Sequence, residues 1–63
     1  MAARKFEEMV DIKELATLLK ISEDFIESSR TSRGLPFYVL SPRIYRYRLS
    51  EVEKWLKERK KNG

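Results

Sequence analysis

Two helix start signals lie close together in the first third of the chain and leave room for only a short turn between the helices that they open. Asp11 and Glu14 have the spacing of a capping box, in which the Asp carboxylate accepts from an early backbone N–H and the Glu side chain reaches back. Ser22 is a good N-cap, and the acids that follow it suit the positive end of a helix dipole. We therefore expect two short helices joined by a tight turn at Lys20-Ile21.

The spacing of apolar residues sets the bounds of these two helices. The first is predicted from about Ile12 to Leu19, since apolar residues recur at i, i+3, i+4 and i+7. This core stripe consists of Ile12, Leu15, Ala16 and Leu19, and the side chains facing away are Lys13, Glu14, Thr17 and Lys20. The second helix is predicted over about residues 23–31, with inward positions at Phe25, Ile26 and Ser29. Its exposed positions are Glu23, Asp24, Glu27, Ser28 and Thr31.

A two-stranded hairpin is predicted after the second helix. The helix ends by residues 32–34, because Gly34 tolerates a positive φ and Pro36 biases its predecessor away from the helical region. Residues 37–40 and 44–48 are rich in β-branched and aromatic residues, and residues 41–43 form the turn. Alternation puts Tyr45 and Tyr47 on one face and Arg46 on the other. We expect the tyrosines inward, an assignment that a bulge or a one-residue slip reverses.

A third helix closes the chain. Ser50 and Glu53 have the spacing of a second capping box, which opens a helix over about residues 51–60. Its expected core residues are Leu49, Val52, Trp55 and Leu56, with Trp55 as the largest contributor. The basic end, residues 59–63, is either a capped, frayed helix end or a DNA-binding arm. A chain this short buries only about 60% of its unfolded surface, so residues 1–63 form a single domain, with residues 1–8 and 61–63 frayed.

Charge is distributed unevenly along the chain. Residues 1–32 hold five Lys and Arg against seven Asp and Glu, net −2, whereas residues 33–63 hold nine against three, net +6. Between Arg30 and Arg48 lie arginines and aromatic residues but no acid. The basic half is suited to a polyanion such as DNA, RNA or an anionic membrane surface. A solvated basic face kept for solubility is the alternative.

The composition argues against an enzyme. The chain has no cysteine and no histidine, so disulfides, thiolate metal sites and the commonest general base are missing. Gly34 and Gly63 are its only glycines, which excludes a phosphate-cradling loop. We expect no catalytic residue, metal or cofactor. No signal peptide and no run of about 20 apolar residues is present, so we expect a cytoplasmic protein without a membrane partner.

The order of these elements resembles a known family. The segments that carry the likeness are Val10-Asp11-Ile12-Lys13-Glu14-Leu15-Ala16, Leu19-Lys20-Ile21-Ser22, Gly34-Leu35-Pro36-Phe37-Tyr38 and Tyr47-Arg48-Leu49-Ser50-Glu51-Val52-Glu53-Lys54-Trp55-Leu56. Over residues 9–58 the chain resembles the small winged-helix modules of the MerR-like class, found in phage and transposon excisionases and in AlpA-type regulators. The implied fold class is α+β, mostly α: a small winged helix-turn-helix with a two-stranded hairpin wing and a C-terminal helix.

The resemblance also implies a DNA-binding surface. The second helix would lie in the major groove, while the wing, led by Arg43 and Arg46, would track phosphates or enter the adjacent minor groove. The residues expected at DNA are Ser22, Glu23, Glu27, Ser28, Arg30, Thr31, Arg33, Arg43, Arg46 and Arg48. Arg30 either reaches DNA or pairs with Glu27 at i−3.

The chain departs from the family pattern at two places. Lys20 stands in the turn where such modules commonly have Gly. The second helix presents Glu23, Asp24 and Glu27 where relatives usually present Arg, Ser, Thr or Tyr. Carboxylates are repelled by phosphates, although they can accept from a cytosine amine. The acidic face is therefore either a base-reading surface or a docking surface for a basic protein.

Three functions follow from these expectations. The first is sequence-specific binding of double-stranded DNA as an excisionase-like recombination directionality factor that acts with an integrase or recombinase. The second is a small transcriptional regulator that acts with RNA polymerase, and the third is a protein-interaction module using the acidic face. A module this small covers few base pairs, so we expect a homodimer or a cooperative array on DNA. The expected site of action is the nucleoid of a bacterial or phage-infected cell.

Overall fold

The computed structural model describes residues 8–60, which form three helices and a three-stranded antiparallel sheet. The elements are, in chain order, β1 (Met9–Val10), α1 (Ile12–Leu19), α2 (Glu23–Ser32), β2 (Tyr38–Ser41), β3 (Ile44–Arg48) and α3 (Leu49–Glu58). This order confirms the predicted α+β fold, in which a helix-turn-helix precedes a hairpin wing and a last helix. The residues expected to fray, 1–8 and 61–63, lie outside this described part except for Glu8. No helix within residues 8–60 is long and apolar enough to cross a membrane.

α1 has the bounds and the capping box that its sequence predicts. The Asp11 carboxylate accepts from the Glu14 N–H at 2.7 Å, and the Glu14 carboxylate accepts from the Asp11 N–H at 3.0 Å. Lys20 ends the helix with φ 60°, and its N–H donates to the Ala16 carbonyl. Lys20 thus adopts the left-handed conformation that glycine favours, at a cost of about 1 kcal/mol. The turn forms without the glycine that is common there.

α2 begins at the predicted cap and ends one residue later than expected. The Ser22 hydroxyl accepts from the Phe25 N–H at 3.1 Å. Ile26 and Ser29 are buried as predicted. The inward placement of Phe25 was wrong, since this side chain is 41% exposed. Consecutive helix positions lie about 100° apart, and the stripe through Ile26 and Ser29 turns Phe25 toward solvent.

The sheet contains one strand that the sequence did not predict. β3 is the central strand: β1 pairs Val10 with Tyr47, and β2 pairs Val39 with Tyr45. The inward tyrosine face is confirmed, with Tyr47 fully buried and Tyr45 partly buried against the core. β1 escaped prediction because two residues are too few to show alternation.

The hairpin contains a bulge close to its turn. Val39 pairs with Tyr45, but Ser41 pairs with Ile44, so Leu40 is an extra residue in β2. β2 therefore begins and ends one residue later than predicted, and the turn itself is Pro42-Arg43. The bulge lies on β2 and leaves the orientation of the tyrosines in β3 unchanged.

α3 starts and ends two residues earlier than predicted, at Leu49 and Glu58. It begins at Leu49, directly after β3, and its N-cap is Arg48, which makes no side-chain capping hydrogen bond. The predicted capping box at Ser50 and Glu53 was therefore wrong. The Ser50 N–H instead donates to the Glu8 carboxylate at 3.1 Å, so an acid outside the helix satisfies this backbone group.

The core lies between the helices and the sheet. Its buried hydrophobic residues are Val10, Leu15, Ala16, Ile26, Leu35, Tyr47 and Val52. Leu49 and Trp55 pack against it as expected, but Trp55 is only partly buried, and Tyr47 is the largest fully buried side chain. Leu56 was placed inward wrongly, since it is 39% exposed. The indole N–H of Trp55 donates to the Arg33 carbonyl at 2.9 Å and so joins α3 to the end of α2.

Candidate nucleic-acid interface

One guanidinium joins α2 to the wing. Arg30 donates from Nη1 to the Tyr47 hydroxyl at 2.8 Å, and its Cζ lies 4.0 Å from the Tyr45 ring centroid and 5.7 Å from that of Phe37. Burial raises the pKa of Tyr47, and the hydrogen bond from Arg30 opposes that rise. The alternative pairing of Arg30 with Glu27 is not the contact that the structure shows. The position of α2 relative to the wing therefore depends on a cation that contacts two aromatic rings and donates to the hydroxyl of a third residue, Tyr47.

The exposed face of α2 is acidic and carries hydroxyl groups that already have local partners. Glu23, Asp24 and Glu27 are exposed, as predicted. The Ser28 hydroxyl donates to the Phe25 carbonyl at 3.0 Å, and Thr31 Oγ1 donates to the Ser28 carbonyl at 3.1 Å. Each hydroxyl keeps acceptor capacity toward solvent. The helix thus offers acceptors in excess of donors to a ligand.

Arg43 lies at the tip of the wing. It is exposed in the two-residue turn, where its backbone N–H donates to the Ser41 hydroxyl at 3.4 Å. Within residues 8–60 its side chain makes no hydrogen bond or ion pair. A long cation at an exposed hairpin tip can reach a phosphate or a groove without first breaking a contact with the described residues.

Arg46 lies beside the part of β3 that β1 does not cover. β1 pairs only with Tyr47 and Arg48, and Arg46 Nη1 donates to the Tyr45 carbonyl at 2.8 Å. This placement keeps the side chain partly buried rather than fully outward. The guanidinium retains other N–H groups for a ligand, since it carries five donors.

These side chains line a common cleft between the start of α1, α2 and the wing. The cleft has a volume of about 250 Å³, and its lining residues are Asp11, Ile12, Glu27, Arg30, Arg43, Tyr45 and Arg46. Three guanidinium groups and two carboxylates therefore meet there. The sequence pointed to the three arginines and to Glu27 but not to Asp11 and Ile12, whose approach depends on how α1 packs against the sheet. The ring partners of Arg30 were missed because they depend on how α2 packs against the wing.

Two further arginines expected at DNA are held away from this cleft. Arg48 lies 3.9 Å from the Glu8 carboxylate and 3.8 Å from that of Glu51. The Tyr38 hydroxyl donates to Glu51 at 2.6 Å, and this hydrogen bond raises the pKa of Tyr38. Arg48 therefore belongs to an acidic network that joins β3 to α3.

Arg33 packs on α2. Its Cζ lies 4.4 Å from the Phe25 ring centroid, and its Nη1 donates to the Ser28 hydroxyl at 2.9 Å. The Arg33 carbonyl accepts hydrogen bonds from Trp55 and from Arg59, whose guanidinium lies over the Trp55 ring. These contacts cover the end of α2 and hold it to α3.

A helix-turn-helix whose second helix is fixed against a hairpin with a basic tip defines a small winged helix-turn-helix protein. Residues 9–60 match the family model of the helix-turn-helix domain, and this match spans most of the chain. The chain belongs to this family, which comprises small excisionase-like and AlpA-like helix-turn-helix proteins. No curated protein and no solved structure is similar enough to count as a match. The family match makes this protein a DNA-binding helix-turn-helix protein.

Proposed function

We propose that this protein binds double-stranded DNA sequence-specifically and acts as an excisionase-like recombination directionality factor together with a recombinase. The observation that supports this proposal is the cleft, which brings Arg43 and Arg46 of the wing next to α2. In this arrangement the wing contacts phosphates while the helix meets base edges. Its site of action is the nucleoid, in the host of a phage or another mobile element.

Affinity and sequence choice come from different residues in this proposal. Arg43 and Arg46 supply the principal phosphate contacts. Arg33 and Arg48 lie in the same basic half of the chain but outside the cleft. The α2 residues that face bases or nearby phosphates are Ser22, Glu23, Glu27, Ser28 and Thr31. The carboxylates suit cytosine amines, which they accept from directly. Arg30 acts at the joint, where it holds α2 at the angle that lets both elements reach the duplex.

The assembly on DNA follows from the size of the domain. One wing and one short helix cover few base pairs, so useful affinity requires a homodimer or a cooperative array on neighbouring sites. A transcriptional regulator that contacts RNA polymerase uses the same surface and is the second form of the proposal. The two differ in the location of the DNA sites, at the attachment junctions of an integrated element or at promoters.

Backbone amide shifts during titration with a random-sequence duplex at low salt test the interface. We expect the shifts to concentrate in residues 22–31 and 41–48, with little change in residues 52–58 of α3 as the internal control. Unchanged amides in both segments would overturn the interface. Immunoprecipitation of bound DNA from host cells then separates the roles: attachment junctions support the excision role, and promoters support the regulator.

The exposed acids of α2 favour a second candidate, a protein-interaction module that docks a basic partner. Glu23, Asp24 and Glu27 are all exposed, while Arg30 on the same helix is committed to the wing. The double variant Glu23→Lys with Glu27→Lys separates the two candidate functions. It strengthens nonspecific DNA binding if α2 faces the duplex, and it abolishes capture of a basic partner if α2 is the docking face.

A further inference from the structure

Beside the basic turn at Arg43, the end of the wing exposes apolar side chains that phosphate contacts do not use. We call these residues, Val39, Leu40 and Ile44, the apolar tip. Val39 is 54% exposed, Leu40 63% and Ile44 42%, and Leu40 has the highest exposure among the large hydrophobic residues described. Residues 34–42 contain no charged side chain. Three large apolar side chains left exposed at the end of so small an element indicate a place that another molecule covers.

The backbone presents this tip in an unusual way. The register shift between Val39 and Ser41 makes Leu40 an extra residue on β2, and bulges re-aim the side chains at which they occur. The Pro42-Arg43 turn follows after Ser41, so a rigid proline and an exposed cation lie two and three positions beyond the leucine. An apolar side chain beside a cation at the end of a hairpin matches the chemistry of the minor groove, where apolar wedges enter base steps and cations meet the flanking phosphates.

We propose that Leu40, supported by Pro42, inserts between base pairs from the minor groove and kinks the duplex, while Arg43 contacts the adjacent phosphate. This inference rests on the proposed DNA binding and adds to it a mechanism of bending. Partial unstacking bends the DNA toward the major groove and brings more of the duplex onto the protein. Charge favours DNA over an apolar protein partner, because the exposed Arg43 lies in the turn three positions after Leu40 and the hairpin itself, residues 38–48, contains no acid.

Ligation of a short DNA fragment into circles measures the bend directly. A random-sequence fragment of about 120 base pairs is shorter than the persistence length of DNA, so it closes slowly unless a bound protein bends it. We expect the wild-type protein to accelerate closure and Leu40→Ser to lose on the order of tenfold in closure rate at saturating protein. Leu40→Met, which keeps an apolar wedge, should retain closure.

Leu18→Ser is the matched control, since Leu18 is 58% exposed on α1 and lies away from the wing. It should leave both closure and DNA affinity unchanged. Affinity for the linear duplex, followed by anisotropy, should change by less than about threefold in Leu40→Ser, because the energy of new contacts offsets that of unstacking. Circular dichroism verifies that each variant is folded.

The outcomes separate this inference from the function on which it rests. Wild-type protein that binds the duplex without accelerating closure overturns the wedge, as does Leu40→Ser protein that bends like the wild type. Wild-type protein that binds no DNA refutes the proposed function itself. Concentration-dependent dimers of the free protein that disappear in Leu40→Ser would assign the tip to a second copy of the chain and also overturn the wedge.

Discussion

The salt dependence of DNA binding tests how many guanidinium groups of the wing region are available to phosphates. The four arginines of the wing and its flanks are Arg33, Arg43, Arg46 and Arg48. If each neutralised one phosphate, log affinity would fall with log salt at a slope of about −3.6. Arg48 is paired with Glu8 and Glu51, and Arg33 lies over the Phe25 ring. We therefore expect only two to contribute, with a slope of about −1.8.

Fluorescence anisotropy with a labelled random-sequence duplex measures this slope between about 50 and about 200 mM KCl. Two contacts predict an affinity loss of about 12-fold over that fourfold range, whereas four predict about 150-fold. Arg43→Ala should reduce the magnitude of the slope by about 0.9. Arg48→Ala is the matched control, because it removes the same charge from the same hairpin at a position already paired with acids, and it should leave the slope nearly unchanged.

A slope near −3.6 with equal effects of Arg43→Ala and Arg48→Ala would refute the reasoning from the ion pairs. It would mean that Glu8 and Glu51 release Arg48 when DNA arrives. A slope near zero would remove the electrostatic interface altogether. Thermal melting of both variants confirms that a changed slope does not arise from unfolding.

Three further predictions concern stability, measured by urea unfolding. Ser22→Ala should cost about 1 kcal/mol by removing the α2 cap, whereas Ser50→Ala should cost almost nothing; equal losses would contradict the capping assignment. Gly34→Ala should cost about 1 kcal/mol although the added methyl group would meet open space, because Gly34 has φ 74°; an unchanged midpoint would contradict this. Tyr47→Phe should cost about 1.5 kcal/mol through the lost hydrogen bond with Arg30. The folded pKa of Tyr47 is raised, so this hydroxyl contributes its full stabilisation below the unfolded value of about pH 10, and the stabilisation falls as pH rises through the folded pKa. Tyr47→Phe should therefore weaken the alkaline loss of stability. A stability profile that runs parallel to that of the wild type over alkaline pH would count against this.

The helix-turn-helix was predictable because its signals are local. The capping box of α1 joins residues three positions apart, and Ser22 caps α2 over the same separation. Such contacts form from the chain segment itself and need no partner from elsewhere in the fold. Alternation in β3 was equally local, and it placed Tyr47 inward correctly.

The failed predictions involve a choice among physically allowed partners. Ser50 has a suitable capping residue three positions later, yet its N–H binds Glu8, which lies 42 positions earlier. Phe25 and Leu56 are apolar, and either could have faced the core, but the small interior is filled by Tyr47 and its neighbours. Sequence spacing alone does not rank such competitors, because their contact energies depend on which elements meet.

The sequence by itself determined the starts of α1 and α2, the position of the wing and the concentration of positive charge in the second half of the chain. These properties depend on residue type and on spacings of a few positions, which the backbone geometry of helices and strands translates directly into structure. Only the tertiary structure decided which arginines are available. It placed Arg30 among the rings of the wing, paired Arg48 with acids and left Arg43 exposed at the tip. Identical side chains acquire different roles because long-range packing sets the charges and rings that surround each one.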